Sequence, residues 1–171
     1  ERELQHYLNQ AKAVLHKLAV GTKSGNAYFH VTGTTTGNGT LINSENVRKE
    51  TGCDAISVAT VSLDDFVMKT FSADTEFCIK CDVEGWDKSV LLGSRELLRC
   101  GRVVWFQFEY NQLWIDQRCF LKDVFKIAKE ADYMVAKVTI DGLEIFEEWH
   151  PELEKFVEVN YVLIRKDFSN V

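Results

Sequence analysis

The stretch from Phe77 to Leu98 constrains this chain most. Phe77-Cys78-Ile79-Lys80-Cys81 is a short, mostly apolar run, Asp82-Val83-Glu84-Gly85 interrupts it, and a helical pattern follows through Val90, Leu91, Leu92, Leu97 and Leu98. The first run reads as a strand covered on both faces, ended sharply by Gly85 before a helix. A junction of this kind lies at the carboxyl end of a strand, where open α/β sheets bind ligands.

Charge makes the junction unusual. Lys80 sits inside the apolar run, and Asp82 and Glu84 follow at period two, so strand alternation puts all three on one side and Ile79, Cys81 and Val83 on the other. A lysine in a covered strand needs a carboxylate, and two are on its own side. The pattern fits a structural ion pair with Glu84 capping the next helix, and it fits a functional site equally well.

Length and composition bound the rest. With 171 residues, 46% of them hydrophobic, the chain can bury one sizeable core, which predicts a single domain over 1–171. The formal net charge of −6, without a cluster of Lys and Arg interleaved with aromatics, argues against a nucleic-acid partner and against an anionic membrane surface. No apolar run is long enough for a membrane span. Glu1-Arg2-Glu3 is not a signal peptide, and the missing initiator Met leads us to expect a chain that begins inside a longer protein.

Cys53, Cys78, Cys81, Cys100 and Cys119 form no framework spacing. Cys78 and Cys81 make a Cys-x-x-Cys, but on a strand they point to opposite faces, so free thiols are expected in place of a zinc site or a bridge. That favours a reducing, cytoplasm-like compartment. His6, His16, His30 and His150 show no metal spacing.

In chain order, Leu4, Tyr7, Leu8 and Ala11 predict an amphipathic helix, and Val14 to Val20 and Ala27 to Val31 predict strands around the turn Gly21 to Gly25. Gly33 to Gly39 matches no phosphate-binding loop and reads as a plain loop. Asn38-Gly39-Thr40 is a glycosylation triplet by pattern alone. Ala55 to Val61 alternates as a strand, and Ser62 caps a short helix with Asp65 three residues on. Asp87 to Arg99 is expected to be one helix stopped by Gly101, Val103 to Phe108 a strand parallel to the central one and ending at Glu109, and Gln117 to Ala131 a helix. Met134 to Ile140 and Phe156 to Arg165 are expected to pair as strands, with Asp141-Gly142 a turn. Trp86, directly after the acidic junction, is the aromatic ranked first as a substrate or cofactor wall, with packing into the core as the default reading.

Lys80-Cys81-Asp82-Val83-Glu84-Gly85, preceded by Ser62-Leu63-Asp64-Asp65-Phe66 and followed by the leucine-rich helix, resembles the FkbM family of S-adenosylmethionine-dependent methyltransferases. Ala19-Val20-Gly21, Lys23-Ser24-Gly25, Tyr28-Phe29-His30-Val31, Glu109 and Asn160-Tyr161-Val162-Leu163 extend the resemblance over nearly the whole chain. It implies an α/β, Rossmann-like class I methyltransferase sheet, mostly parallel with an antiparallel C-terminal strand, bound to S-adenosylmethionine. The glycine-rich strand and loop that hold the donor in that family have no counterpart here. The sheet is therefore expected to be N-terminally incomplete, with the first strand not neighbouring the one that carries Asp82.

What the resemblance leaves is an acceptor half. Asp82, Glu84 and Glu109 become candidate bases or metal-binding carboxylates, with Lys80 as their electrostatic partner. Ala19 and Val20, with Asp82, become candidate cofactor contacts, since the first two are similar to the segment flanking the adenine. The expected activity is O-methylation of a small molecule or glycan. The alternative is a non-catalytic methyltransferase-like module, or a subunit that completes its sheet through self-association or a missing segment.

Overall fold

The computed structural model describes residues 13–31, 39–40 and 55–168. The opening helix, most of Gly33 to Gly39, Asn38 of the glycosylation triplet and Cys53 lie outside them.

Two mixed sheets carry the fold. The first is built from β1 (Ala19–Val20), β2 (Gly25–Val31), β3 (Gly39–Thr40) and β4 (Ala55–Val61), in the order β1-β4-β2-β3. β4 runs parallel to β1 and antiparallel to β2. The second contains β5 (Phe77–Lys80), β6 (Val103–Tyr110), β7 (Tyr133–Thr139), β8 (Gly142–Phe146) and β9 (Val159–Arg165), in the order β5-β6-β9-β7-β8. Only its β5–β6 pair is parallel; β9 enters between β6 and β7 antiparallel to both, and β8 folds back on β7.

The second sheet is mixed where a mostly parallel one was expected, and the expected antiparallel C-terminal strand is present as β9, with β5, β6 and β7 sharing one direction. β9 does pair with β7 as expected, but it also separates β7 from β6. β8 was not anticipated: all but the last of its residues are exposed, so Leu143 and Ile145 alternate with no buried face to mark them. β1 lies in a different sheet from β5, as expected of a first strand that does not neighbour the one leading to Asp82.

Five helices are present among the described residues: α1 (Leu63–Thr70), α2 (Asp87–Leu92), α3 (Arg95–Arg99), α4 (Leu113–Asp116) and α5 (Leu121–Ala131). The Ser62 hydroxyl accepts from the Asp65 amide at 3.1 Å and starts α1 as predicted. Asp64 does more than the sequence suggested, accepting from the Leu97 and Glu96 amides at 2.9 and 3.1 Å and so capping α3 from outside.

The single helix expected over Asp87 to Arg99 is two. The Gly93 carbonyl accepts from the Asp64 amide at 2.8 Å, and the Ser94 hydroxyl turns back to the carbonyls of Val90 and Leu91. The carbonyls that would continue the helix are spent elsewhere. Gly93 also lies against the turn after β1, where an added Cβ would stand 2.1 Å from the Gly21 carbonyl oxygen.

The helix expected from Gln117 begins only at Leu121, because Arg118 takes φ +52° and Phe120 is extended. Phe120 has no side-chain acceptor to cap α5. Glu154, far along the chain, supplies it by accepting from the Leu121 and Lys122 amides at 3.1 and 2.9 Å.

The core lies on one face of the second sheet. Phe106, Phe108 and Tyr110 of β6, with Tyr161 and Leu163 of β9, belong to one buried cluster with Leu91, Leu97, Leu98, Trp114, Leu121 and Val124 from the helices. Phe108 stacks on Tyr161 with centroids 6.0 Å apart, and Tyr110 meets Trp114 edge-on at 5.1 Å, geometries that aromatic pairs favour. On the opposite face, Trp105, Met134, Val138, Val162 and Ile164 line an open apolar surface. No described helix is long and apolar enough to cross a membrane.

Candidate functional site

The chain leaves β5 at Lys80 and enters α2 at Asp87 through a turn that uses two left-handed residues in succession, Glu84 at φ +51° and Gly85 at φ +86°. Glycine adopts this region freely, whereas a glutamate does so at a cost that surrounding contacts must offset. The Gln117 side-chain amide donates to the Gly85 carbonyl, and the Trp86 amide closes back on the Val83 carbonyl at 3.2 Å. The turn is held from both sides.

Lys80 and Asp82 form the expected ion pair, Nζ to Oδ2 at 2.6 Å. The reason for it differs from the expectation. Both side chains are more than half exposed, and the face of β5 that holds Cys78 and Lys80 is open, so burial does not force the pairing. The hydrogen bond to Asp82 raises the Lys80 pKa, and Glu109 adds to it electrostatically.

Glu109, half-buried near the end of β6, accepts from the Asn111 side-chain amide. Burial is the largest influence on its carboxyl and raises its pKa, and the charges of Glu158, Asp87 and Glu84 push the same way. Its cross-strand neighbour Asn160 takes a 2.9 Å hydrogen bond from Gln107. Lys80, Asp82, Glu84 and Glu109 therefore converge electrostatically at one end of the β5–β6 pair.

Sequence reasoning missed Asp87, which it took only as a helix start. Asp87 is fully buried, with Oδ1 accepting the Glu109 amide at 3.1 Å and Oδ2 without a hydrogen-bond partner among the described residues, and the buried Cys81 thiol interacts electrostatically with the same carboxyl. Burial raises its pKa, and it pushes the Cys81 thiol well above the usual range as well. A carboxylate directly after a strand-ending turn was the available signal.

Beside Asp87, the Trp86 indole Nε1 is also buried and unpartnered among the described residues. It faces Gly21, where an added Cβ would come within 3.3 Å. Ala19 and Val20, half-buried in the other sheet, lead into Gly21, and Val20 packs against the buried cluster that includes Cys81.

Cys78 is exposed and Cys81 buried, the opposite orientation that alternation predicted. No group of three or more His, Cys, Asp or Glu side chains among the described residues is arranged to hold a metal ion.

The arrangement can accept a proton at Glu109 and orient a polar ligand with Lys80 and Asp82. Residues 2–158 match the family described as the methyltransferase FkbM domain. No curated protein and no solved structure matches the chain.

Proposed function

The chain belongs to the FkbM methyltransferase family, and from that premise we propose that its acidic strand end is the acceptor half of an O-methyltransferase acting on a small molecule or glycan. The observation that carries the reading is Glu109, a carboxyl whose pKa is raised by burial and by three neighbouring carboxylates at the end of a strand. A base of this kind takes a hydroxyl proton more readily near neutral pH than an ordinary glutamate. In this reading Glu109 removes the proton from the acceptor hydroxyl, and Lys80 and Asp82 orient the acceptor. Asp87 fixes the backbone of Glu109.

FkbM methyltransferases generally take their methyl group from S-adenosylmethionine. The residues present fit one edge of that donor. The unpartnered Trp86 Nε1 is a hydrogen-bond donor beside Gly21, the residue that follows the Ala19–Val20 segment, and is the group that would read an adenine edge there. The sequence has no glycine-rich strand-to-helix loop for the rest of the donor, so we assign no step to groups that would hold its methionine and ribose. The strand order β5-β6-β9-β7, with β9 inserted antiparallel, supports reading the second sheet as one half of a Rossmann-like methyltransferase sheet.

One observation favours a second reading, a subunit that completes its sheet with another chain. β5 pairs only with β6 among the described residues, leaving its other edge free to accept a strand. Methyl transfer from radiolabelled S-adenosylmethionine to a panel of hydroxylated small molecules and glycans tests the first reading. Turnover supports it, and inactivity across the panel together with association into a defined oligomer supports the second.

A further inference from the structure

A groove of about 880 Å³ opens between α5, the β7–β8 hairpin and the connection that leaves β8, and none of the candidate carboxylates lines it. Its charge opposes that of the chain. Lys122, Lys126, Lys129 and Lys166 line it against only Glu147 and Glu148, although the whole sequence carries a net charge of −6.

Three of these lysines recur at i, i+4 and i+7 on α5, a single helix face about 10 Å long at the helical rise per residue. Lys126 lies 3.8 Å from Asp123, and Lys166 pairs with Asp132. Lys122 and Lys129 form no ion pair among the described residues.

The groove is also built around an aromatic ring. Lys122 Nζ lies 4.4 Å from the centroid of Trp149, and the Trp149 Nε1 donates to Glu154 at 2.8 Å. Glu154 itself is anchored by the Tyr110 hydroxyl at 2.6 Å and by the first amides of α5. Ring and ammonium are thus held in place before any ligand arrives, which lowers the cost of binding. Half-buried Phe146 continues the apolar wall.

We propose that this groove binds an acidic saccharide, with a sugar ring against Trp149 and its carboxylate or sulfate groups on Lys122 and Lys129. Aromatic faces take the C–H face of a sugar, ammonium groups take its anions, and Glu147 and Glu148 accept from its hydroxyls. A polyphosphate chain offers these two carboxylates no hydroxyl donors and sets its oxyanions directly against them, whereas a saccharide spaces its anions with hydroxyls that donate to them. The 10 Å lysine row suits a disaccharide. The site stands apart from the methyltransferase reading and does not depend on it.

The test is titration of the full chain at low salt with a heparin-derived disaccharide, one uronate joined to one sulfated glucosamine, followed by calorimetry and tryptophan fluorescence. Saturable binding is expected, weakened about tenfold or more in the Lys122→Gln/Lys129→Gln double variant, the loss that removing a charge-assisted contact produces. Both lysines are solvent-facing, so the variant should keep the wild-type circular dichroism. Trp149→Phe should abolish the fluorescence response, and the neutral disaccharide cellobiose should bind far more weakly. Three results overturn the proposal: no saturable binding in the millimolar range, undiminished binding by the double variant, or ATP binding as tightly as the disaccharide.

Discussion

The backbone amide of Glu109 on β6 donates to Asp87 Oδ1 on α2 at 3.1 Å, while Asp87 Oδ2 stays buried without a partner among the described residues. One carboxyl thereby fixes the end of the strand that carries the proposed base, and it does so while incurring an uncompensated desolvation cost.

That cost gives a pH signature. Burial raises the Asp87 pKa above its ordinary 3.8, so the folded protein keeps this proton at pH values where the unfolded chain has lost it. Its contribution to stability is complete below the unfolded pKa and lost as pH rises through the folded one. Glu109, also raised, acts with the same sign. Asp87→Asn keeps an acceptor for the Glu109 amide but cannot ionise, so it should gain stability relative to wild type as pH rises from the acidic range toward neutrality. Urea unfolding at a series of pH values measures this, and parallel curves for the two proteins would show that Asp87 does not titrate as described.

Asp64 supplies a second expectation. Its carboxylate holds the Leu97 and Glu96 amides, so Asp64→Ala leaves the start of α3 uncapped and loosens α1 from it. The loss should be about 1–2 kcal/mol, in the range for helix caps. A lowered denaturant midpoint with an unchanged slope is the expected result, and an unshifted midpoint would mean that solvent caps α3 equally well.

Thiol chemistry reports on the strand alternation. Cys78 and Cys100 are exposed, whereas Cys81 and Cys119 are buried with thiol pKa values raised chiefly by burial. Iodoacetamide applied to the native protein should label Cys78 and Cys100 well before Cys81 and Cys119, since only a thiolate reacts. Peptide mass spectrometry resolves the order. Equal labelling of Cys78 and Cys81 would contradict the orientation of β5.

Much of the site was legible because its signals are local. The period-two spacing of Lys80, Asp82 and Glu84, the glycine that ends the run, and the Ser62 cap each depend on residues a few positions apart. What the sequence did not disclose depends on distant partners. Glu154 starts α5 from 33 residues away and Asp64 caps α3 from 33, and neither link leaves a local pattern. The break at Gly93 follows from the approach of Gly21, and the true width of the sheet from β9 entering between β6 and β7. The burial of Asp87 likewise needed β6 in place. Lys80 shows the reverse error: its apolar neighbours suggested a covered face, and the structure leaves that face open.

The account rests on Glu109 as the base that takes a hydroxyl proton, and the most direct measurement is kcat for methyl transfer by Glu109→Gln against wild type, with Asp82→Asn alongside. General-base removal should lower kcat on the order of 10²-fold or more, about 2.7 kcal/mol of barrier, with folding retained. Asp82→Asn, which alters acceptor orientation, should cost at least about tenfold. The wild-type rate should rise with pH through a single ionisation above the ordinary glutamate range, and Glu109→Gln should lose that dependence. A Glu109→Gln enzyme that kept wild-type kcat and the same pH profile would contradict the account.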